Sequence, residues 1–356
     1  MSIYMVTISN DWENDSLVEG EVHRYDSDGE LIDERLTSLE TPARNGGSGY
    51  QGPDGKIWGT HFDAQAAASF DPETLLHISS FGTSYEQPES ILVGSNGMLY
   101  VGYQQRNFNM VGVEDSLWRP MSVFDDDGTL IDTVGLNQWG HQMTDWLEPN
   151  NVIIYTDEKR LIRTLDITTG DESIFADVYG TEPGGYRFHN QFPDGEGGVE
   201  DQTYEENPGS WDTWGIQVDR SAGRVYVLCY GRELDIFNDN AWISIWDTSG
   251  SHLGNYLIED DDFFPYRMVL HAGELWVPRE GVDTYDSATF ETVSYGSAGS
   301  LTGNLIYKVG IDGSGTDTPF MVFAPENEWN LGAIVAATPA FLSLGSSRRT
   351  IMWART

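Results

Sequence analysis

Hydrophobic and polar positions in this chain alternate over short runs and do not hold the period of an amphipathic helix. Runs rich in β-branched and aromatic residues follow small turn sequences: PDG before KIWGTHF, SNG before MLYVGYQ, PNN before VIIYTD, SAG before RVYVLCY and HAG before ELWVPRE. Such runs predict strands separated by tight turns. The early run SIYMVTIS has the same character without its turn, and SSRRTIMWART at the far end is a further copy. Ala64 to Ala68 is the one short stretch of helical composition.

A second pattern follows each of these strands. An apolar or aromatic residue precedes an aspartate, a turn follows, and another strand begins. The six copies are Tyr25-Asp26, Phe70-Asp71, Phe124-Asp125, Leu165-Asp166, Trp246-Asp247 and Ile311-Asp312. YDSDGELID (Tyr25 to Asp33) and FDDDGTLID (Phe124 to Asp132) are near duplicates. A supersecondary unit repeated in this way predicts a radial or stacked array.

Each unit reads as four antiparallel strands, A to D. Strand A precedes the first turn (GSGYQG, SILVGS, MTDWLE, GIQVD, YRMVLH). Strand B is the apolar run. Strand C ends at the aspartate, and strand D follows it (ELIDERL, LLHISSF, TLIDTV, ESIFAD, LGNYLIE, PFMVFA). Four-stranded units around an axis are propeller blades, and over its whole length the chain resembles the β-propeller superfamily. The expected fold is an all-β propeller of six blades, with seven as the alternative. It forms a single domain over 1–356. Blade 1 takes 1–40 plus 333–356, so that strands from both ends share a sheet and leave no open edge. The other blades fall at about 46–82, 90–135, 142–179, 214–259 and 265–324, with a long loop insertion at 179–214. The repeat lacks the GH…WD signature of WD40 repeats, the paired glycines of kelch repeats and the full aspartate box of sialidases.

Charge changes the picture next. The chain carries 57 acidic and 19 basic residues, a formal charge of −38, and its only lysines are Lys56, Lys159 and Lys308. Acid is spread along the sequence. This composition resembles that of proteins from salt-in halophiles, where molar salt shortens the screening length to about 3 Å and suppresses self-repulsion. No basic patch is present to bind nucleic acid. No apolar run is long enough to span a membrane, and the N-terminal sequence does not read as a signal peptide. Cys229, in VYVLCYG, reads as a small buried residue.

The candidate chemistry follows from turn length. A–B and C–D turns are short and fall on one face of such a fold. The long B–C and D–A segments fall on the other: Ser9 to Gly20, Gln104 to Trp118, Tyr179 to Trp214, Gly231 to Asn240 and Arg279 to Thr302. Loops on a rigid scaffold carry binding residues. The candidates there are Arg106, Trp118, Trp139, Tyr186, Arg187, Trp211, Arg232 and Arg279. Aromatic rings supply contact area and arginines can clamp a carboxylate. The glycines of 179–214 argue against regular structure in it. Its aromatics Tyr186, Phe188, Phe192, Tyr204, Trp211 and Trp214 serve either recognition or anchoring to the blades.

His61, His141 and His189, with Asp63 and Asp145, are candidates for a general base or a transition-metal site; separate structural histidines are the plainer reading. The segment GHQMTDWLEPNNVIIYTD resembles part of arylsulfotransferase-type propellers, with His141 as the matching histidine, but its turn departs to Glu148-Pro149-Asn150-Asn151. Asp26, Asp28, Asp125 and Asp127 could hold Ca²⁺ or Mg²⁺ through oxygen ligands, although Asp-Gly turns form without metal. No cofactor is otherwise expected.

The functional expectation is a non-enzymatic binding propeller of a halophile: a virion surface component such as a capsid decoration, turret or tail-associated receptor-binding module. Its partner would be a protein in a larger assembly or a surface glycan. The alternative is a cytoplasmic propeller enzyme (a glycosidase, lyase or sulfotransferase-like protein) with its centre at the same face.

Overall fold

The computed structural model describes residues 2–9, 21–36, 49–61, 65–85, 88–94, 96–103, 120–135, 144–148, 151–156, 160–188, 191–193, 199–201, 213–233, 239–258, 268–279, 283–285, 292–295, 304–315, 319–323 and 329–337. Within them the chain is all-β. Sheet 1 has the strand order Trp329–Ala337, Ser2–Ser9, Glu21–Tyr25, Leu31–Leu36. Sheet 2 is Tyr50–Gln51, Ile57–His61, Ala66–Phe70, His77–Gly82, and sheet 3 is Pro88–Val93, Leu99–Tyr103, Met121–Phe124, Leu130–Val134. Sheet 4 is Thr144–Glu148, Val152–Thr156, Leu161–Asp166, Glu172–Asp177. Sheet 5 contains Thr213–Asp219, Arg224–Glu233, Asp239–Asp247 and His252–Ile258, and sheet 6 is Val269–His271, Glu274–Arg279, Asn304–Gly310, Pro319–Phe323.

The A strands touch in succession, from Trp329–Ala337 through Tyr50–Gln51, Pro88–Val93, Thr144–Glu148, Thr213–Asp219 and Val269–His271, and the last returns to the first. The sheets therefore stand radially around an axis, as a β-propeller. The sequence predicts six four-stranded blades, with seven as the alternative; among the described residues five sheets have the four-stranded form, and sheet 5 departs from it with five strands. Its long B strand is covered on one edge by two separate pieces. Thr213–Asp219 pairs with Arg224 to Cys229, and Tyr186–Phe188 pairs with Gly231 to Glu233. Sheet 1 joins Ser2–Ser9 to Trp329–Ala337 in antiparallel register, so the shared sheet forms. The expected further strand at 346–356 lies outside the described residues.

The one stretch of helical composition, 64–68, falls in strand C, as the aspartate pattern at Phe70-Asp71 required: Ala66–Phe70 pairs with both Ile57–His61 and His77–Gly82. Helix propensity of alanine is weak, and two-sided pairing overrides it. The insertion at 179–214 also holds more regular structure than its glycines suggest, including the hairpin Gln191–Pro193 with Val199–Asp201. A second hairpin, Asp283–Tyr285 with Thr292–Tyr295, lies between strands B and C of sheet 6.

The core lies between neighbouring sheets. Trp58 and Ala67 of sheet 2 pack on Ile91, Val101 and Phe124 of sheet 3, and Tyr100 of sheet 3 packs on Trp146 of sheet 4. Trp242 and Val227 of sheet 5 pack on Ile154 and Ile162 of sheet 4. Cys229 is buried there. Truncating a wholly buried indole such as Trp58 costs about 3–5 kcal/mol. The exposed aliphatics on the outer part of the sheets include Leu31, Ile32, Leu130 and Ile131. Their neighbours Glu30, Asp33 and Asp132 put acid along these edges, a device that discourages edge-to-edge pairing.

Candidate functional site

Chain direction sorts the connections. The A–B and C–D turns lie at one end of the ring, here called the base, and the B–C and D–A connections lie at the other. At the base, all six repeated aspartates do the same work. Each Oδ1 accepts backbone N–H groups of its own turn: Asp28 and Glu30 on Asp26, Glu73 and Thr74 on Asp71, Asp127 and Thr129 on Asp125, Thr168 and Thr169 on Asp166, Ser249 and Ser251 on Asp247, and Ser314 on Asp312. The motif is thus a turn cap. Burial pushes the Asp71 carboxyl up, but bonds from Thr74 and Glu73 outweigh it and leave the group below its ordinary value. The Ser249 hydroxyl lowers Asp247, and the Ser314 hydroxyl lowers Asp312. For the suggested cation ligands, Oδ1 of Asp26 and of Asp125 is spent on the backbone. Among the described residues no three His, Cys, Asp or Glu side chains gather as a metal site.

Scarce cations join the sheets at the base. Arg24 of sheet 1 donates to the Pro72 and Glu73 carbonyls in the C–D turn of sheet 2. Lys308 of sheet 6 donates to the Ser27 carbonyl in the C–D turn of sheet 1, pairs with Glu274 at 2.8 Å and lies over the Trp276 ring. Arg224 and Tyr256 of sheet 5 donate to the Ile311 carbonyl in the C–D turn of sheet 6. Each group thus reaches the C–D turn of the next sheet.

The described histidine, arginine and tyrosine candidates, with Asp145, fall at the opposite end. His61 closes the strand Ile57–His61, and Asp145 stands near the start of Thr144–Glu148, so the backbone places both at this end. Arg232 and Arg279 stand at the upper ends of their B strands. Asp63, Arg106, Trp118, Trp139, His141, His189 and Trp211 lie outside the described residues.

Tyr186 and Arg187 belong to the strand Tyr186–Phe188, docked on sheet 5. Phe188 is wholly buried, with its ring centroid 4.9 Å from Tyr179 and 5.0 Å from Trp242. Tyr186, half-buried, leans on Trp242 at 6.3 Å. Trp214 is also buried. Phe188 and Trp214 are therefore anchors, while Tyr186 keeps part of its ring in solvent. Gly231 permits the docking: a Cβ there would overlap the Arg187 carbonyl oxygen and the Trp242 ring.

Beside this strand lies a corner that sequence reasoning missed. Arg160 makes a two-pronged bond to Asp177 and places its guanidinium 4.7 Å from the Tyr179 ring. Asp177 also accepts the Tyr179 N–H, and Asn255 of sheet 5 donates to the Thr181 carbonyl. Arg160 immediately precedes strand C and Asp177 ends strand D of one sheet, where Leu161 pairs with Asp177, a neighbourhood that a strand assignment with register could have shown. Glu89, a buried carboxylate at the upper end of the A strand of sheet 3, was also missed. The described corner thus presents an aromatic ladder ended by a guanidinium held on Asp177.

No protein-family model matches the chain, and no curated protein matches it. Solved structures do match in shape. A chain from the crystal structure of a nidogen/laminin complex is similar, with a TM-score of 0.55 and 11% identity, over 95% of this chain and 99% of that one. A protein of unknown function from Bacteroides caccae is similar, with a TM-score of 0.50 and 9% identity, over 95% and 99%. A streptogramin B lyase structure matches at a TM-score of 0.43 and 12% identity, over 77% and 89%. At these identities the likeness defines the class of fold, a β-propeller, and no activity.

Proposed function

We propose that this chain is a six-bladed binding propeller of a halophile that presents its loop-rich face to a protein or glycan partner, as a surface component of a virion. The six-blade count takes sheet 5 as one blade whose A edge comes in two pieces. The observation that carries the proposal is the asymmetry between the two ends. The base repeats one aspartate-capped turn six times. The opposite end adds the docked strand Tyr186–Phe188 and two extra hairpins to the blades. Unrepeated sequence held on a repeated scaffold suits recognition. The acidic, lysine-poor composition supports work at high salt. One chain of similar shape comes from a protein–protein complex, that of nidogen and laminin.

The test is quantitative mass spectrometry of particles, cell envelope and cytosol from the source culture, kept at molar salt throughout. The proposal expects stoichiometric recovery in purified particles. Recovery in cytosol alone overturns the virion assignment and directs attention to an activity screen with His61, His141 and His189 replaced by alanine.

A further inference from the structure

The large apolar side chains that stand exposed among the described residues all lie on the outer strand D of a sheet or just before it. Two of these places are copies of each other. Leu31 and Ile32 of sheet 1 are 48% and 47% exposed, and Leu130 and Ile131 of sheet 3 are 48% and 54% exposed. Both pairs follow a capped turn whose glycine is left-handed, with φ 81° at Gly29 and 80° at Gly128. Both stand at the same irregularity. Strand C pairs Arg24 with Asp33 and Tyr25 with Leu31 in sheet 1, and Val123 with Asp132 and Phe124 with Leu130 in sheet 3. Ile32 and Ile131 are therefore extra residues of a bulge. In both copies the aspartate that follows accepts the next backbone N–H, from Glu34 or from Thr133.

The likeness is confined to the turn and to what is exposed beyond it. Strand C behind it carries Val22, His23, Arg24 and Tyr25 in sheet 1, where sheet 3 has Met121, Ser122, Val123 and Phe124. The joints differ as well. Lys308 holds the first turn through the Ser27 carbonyl, whereas the Phe81 ring lies against Gly128 of the second. Core packing therefore does not explain why both edges keep Leu-Ile-Asp. A bulge at a sheet edge re-aims a side chain, and water is a poor neighbour for an isoleucine. An aliphatic pair kept in water twice, at one point of the repeat, marks a contact surface.

The surroundings select the occupant. Glu30, Asp33 and Glu34 are exposed beside the first pair, and Asp126, Asp127 and Asp132 beside the second. Two such edges brought together would set carboxylate against carboxylate, so a second copy of the chain fits poorly. The bulge also interrupts the ladder that an added strand would need, which leaves side chains to make the contact. We propose that the Leu-Ile-Asp edges of sheets 1 and 3 are two equivalent docking sites for a partner polypeptide whose apolar side chains are flanked by lysine or arginine. The aliphatic pair supplies apolar area. The carboxylates supply ion pairs at contact distance, within the short screening length of molar salt. Both sites stay open when the loop-rich face is engaged, so this partner lies outside the assembly formed through that face.

The test is calorimetric titration of the whole protein in molar potassium chloride with a synthetic peptide of alternating leucine and lysine. A second peptide with glutamate in place of lysine is the control. The lysine peptide should fill two equivalent sites per chain, and the glutamate peptide should not bind. Leu31→Ser with Ile32→Ser should remove one site, and adding Leu130→Ser with Ile131→Ser should remove the other. The replaced side chains are exposed, so the melting temperature should hold. Asp33→Lys with Glu34→Lys, which leaves the aliphatic pair in place, should also remove the first site. The proposal is overturned if the lysine peptide does not bind, if both sites survive the four serine substitutions, or if the glutamate peptide binds equally well. It is also overturned if light scattering shows a dimer that those four substitutions abolish, because the edges then belong to a second copy.

Discussion

The two ends of the ring are made from the same strands and differ in how they finish them. At the base, a strand ends in an aspartate whose carboxylate gathers the turn's own N–H groups, and this happens six times. At the other end the sequences of the connections do not repeat, and one of them returns as the strand Tyr186–Phe188 to complete the edge of sheet 5. Local, repeated chemistry builds the scaffold; non-local, unrepeated chemistry builds the exposed face. The same division separates what could be changed without loss of the fold from what could not.

The largest effect should come from the base. Gly128 has φ +80°, and a Cβ there would overlap the Phe81 ring of the neighbouring sheet. Gly128→Val combines left-handed strain with overpacking and should cost about 3 kcal/mol, seen as a lower denaturation midpoint of the whole ring. At the other end, Gly231→Val should cost about 1–3 kcal/mol and act locally. Hydrogen exchange should rise across 186–188 while the base turns stay protected. If both variants lose stability uniformly, the division between the ends fails.

Smaller perturbations sharpen the contrast. Lys308→Met removes a bond to Ser27 and the pair with Glu274. It should cost about 1 kcal/mol and loosen the joint between sheets 6 and 1 before any other, as read by exchange at the Asp26–Glu30 turn. Acid should then find the capped turns. Asp71, Asp247 and Asp312 hold their protons less tightly folded than unfolded. Their contribution is complete above about pH 3.9 and is lost as pH falls below it. Asp71→Asn, which keeps an acceptor but no charge, should flatten part of that acid limb in a melting-temperature titration.

A last, weaker pH dependence belongs to His271, buried beside Trp276. Burial lowers its proton affinity, the chain's amino terminus and Lys308 add to that, and Glu274 opposes it. Because the unfolded chain binds this proton more tightly, the stability contribution is complete above about pH 6.5 and falls as pH drops through that value. His271→Gln should remove that step and leave the acid limb in place.

Much of the scaffold was legible because its signals are local. Asp-Gly turns and apolar runs such as RVYVLCY placed strands A to D of each unit close to where they stand. The divided edge of sheet 5 was not legible, because Tyr186 and Thr213 reach one strand from distant positions and only Gly231 hints at the close approach. Ala66–Phe70 has a helical composition, yet the aspartate pattern that ends at Phe70-Asp71 marked it as a strand, and pairing on both sides holds it there. The joints made by Arg24, Lys308 and Arg224 were not legible, because their carbonyl partners lie far away in sequence. Of the candidate face, composition singled out Tyr186 and Arg187, and the structure places them in a strand on sheet 5, whereas the Arg160–Asp177–Tyr179 corner depends on strand register.

The proposed function assigns recognition to the loop-rich end. Hydroxyl-radical footprinting in molar potassium chloride, on the purified protein and on the assembly that contains it, tests this most directly. Protection is expected along 179–214 and 279–303, with unchanged labelling at the turns around Asp26, Asp125 and Asp247. Protection centred on those turns, with the long segments still labelled, would contradict it.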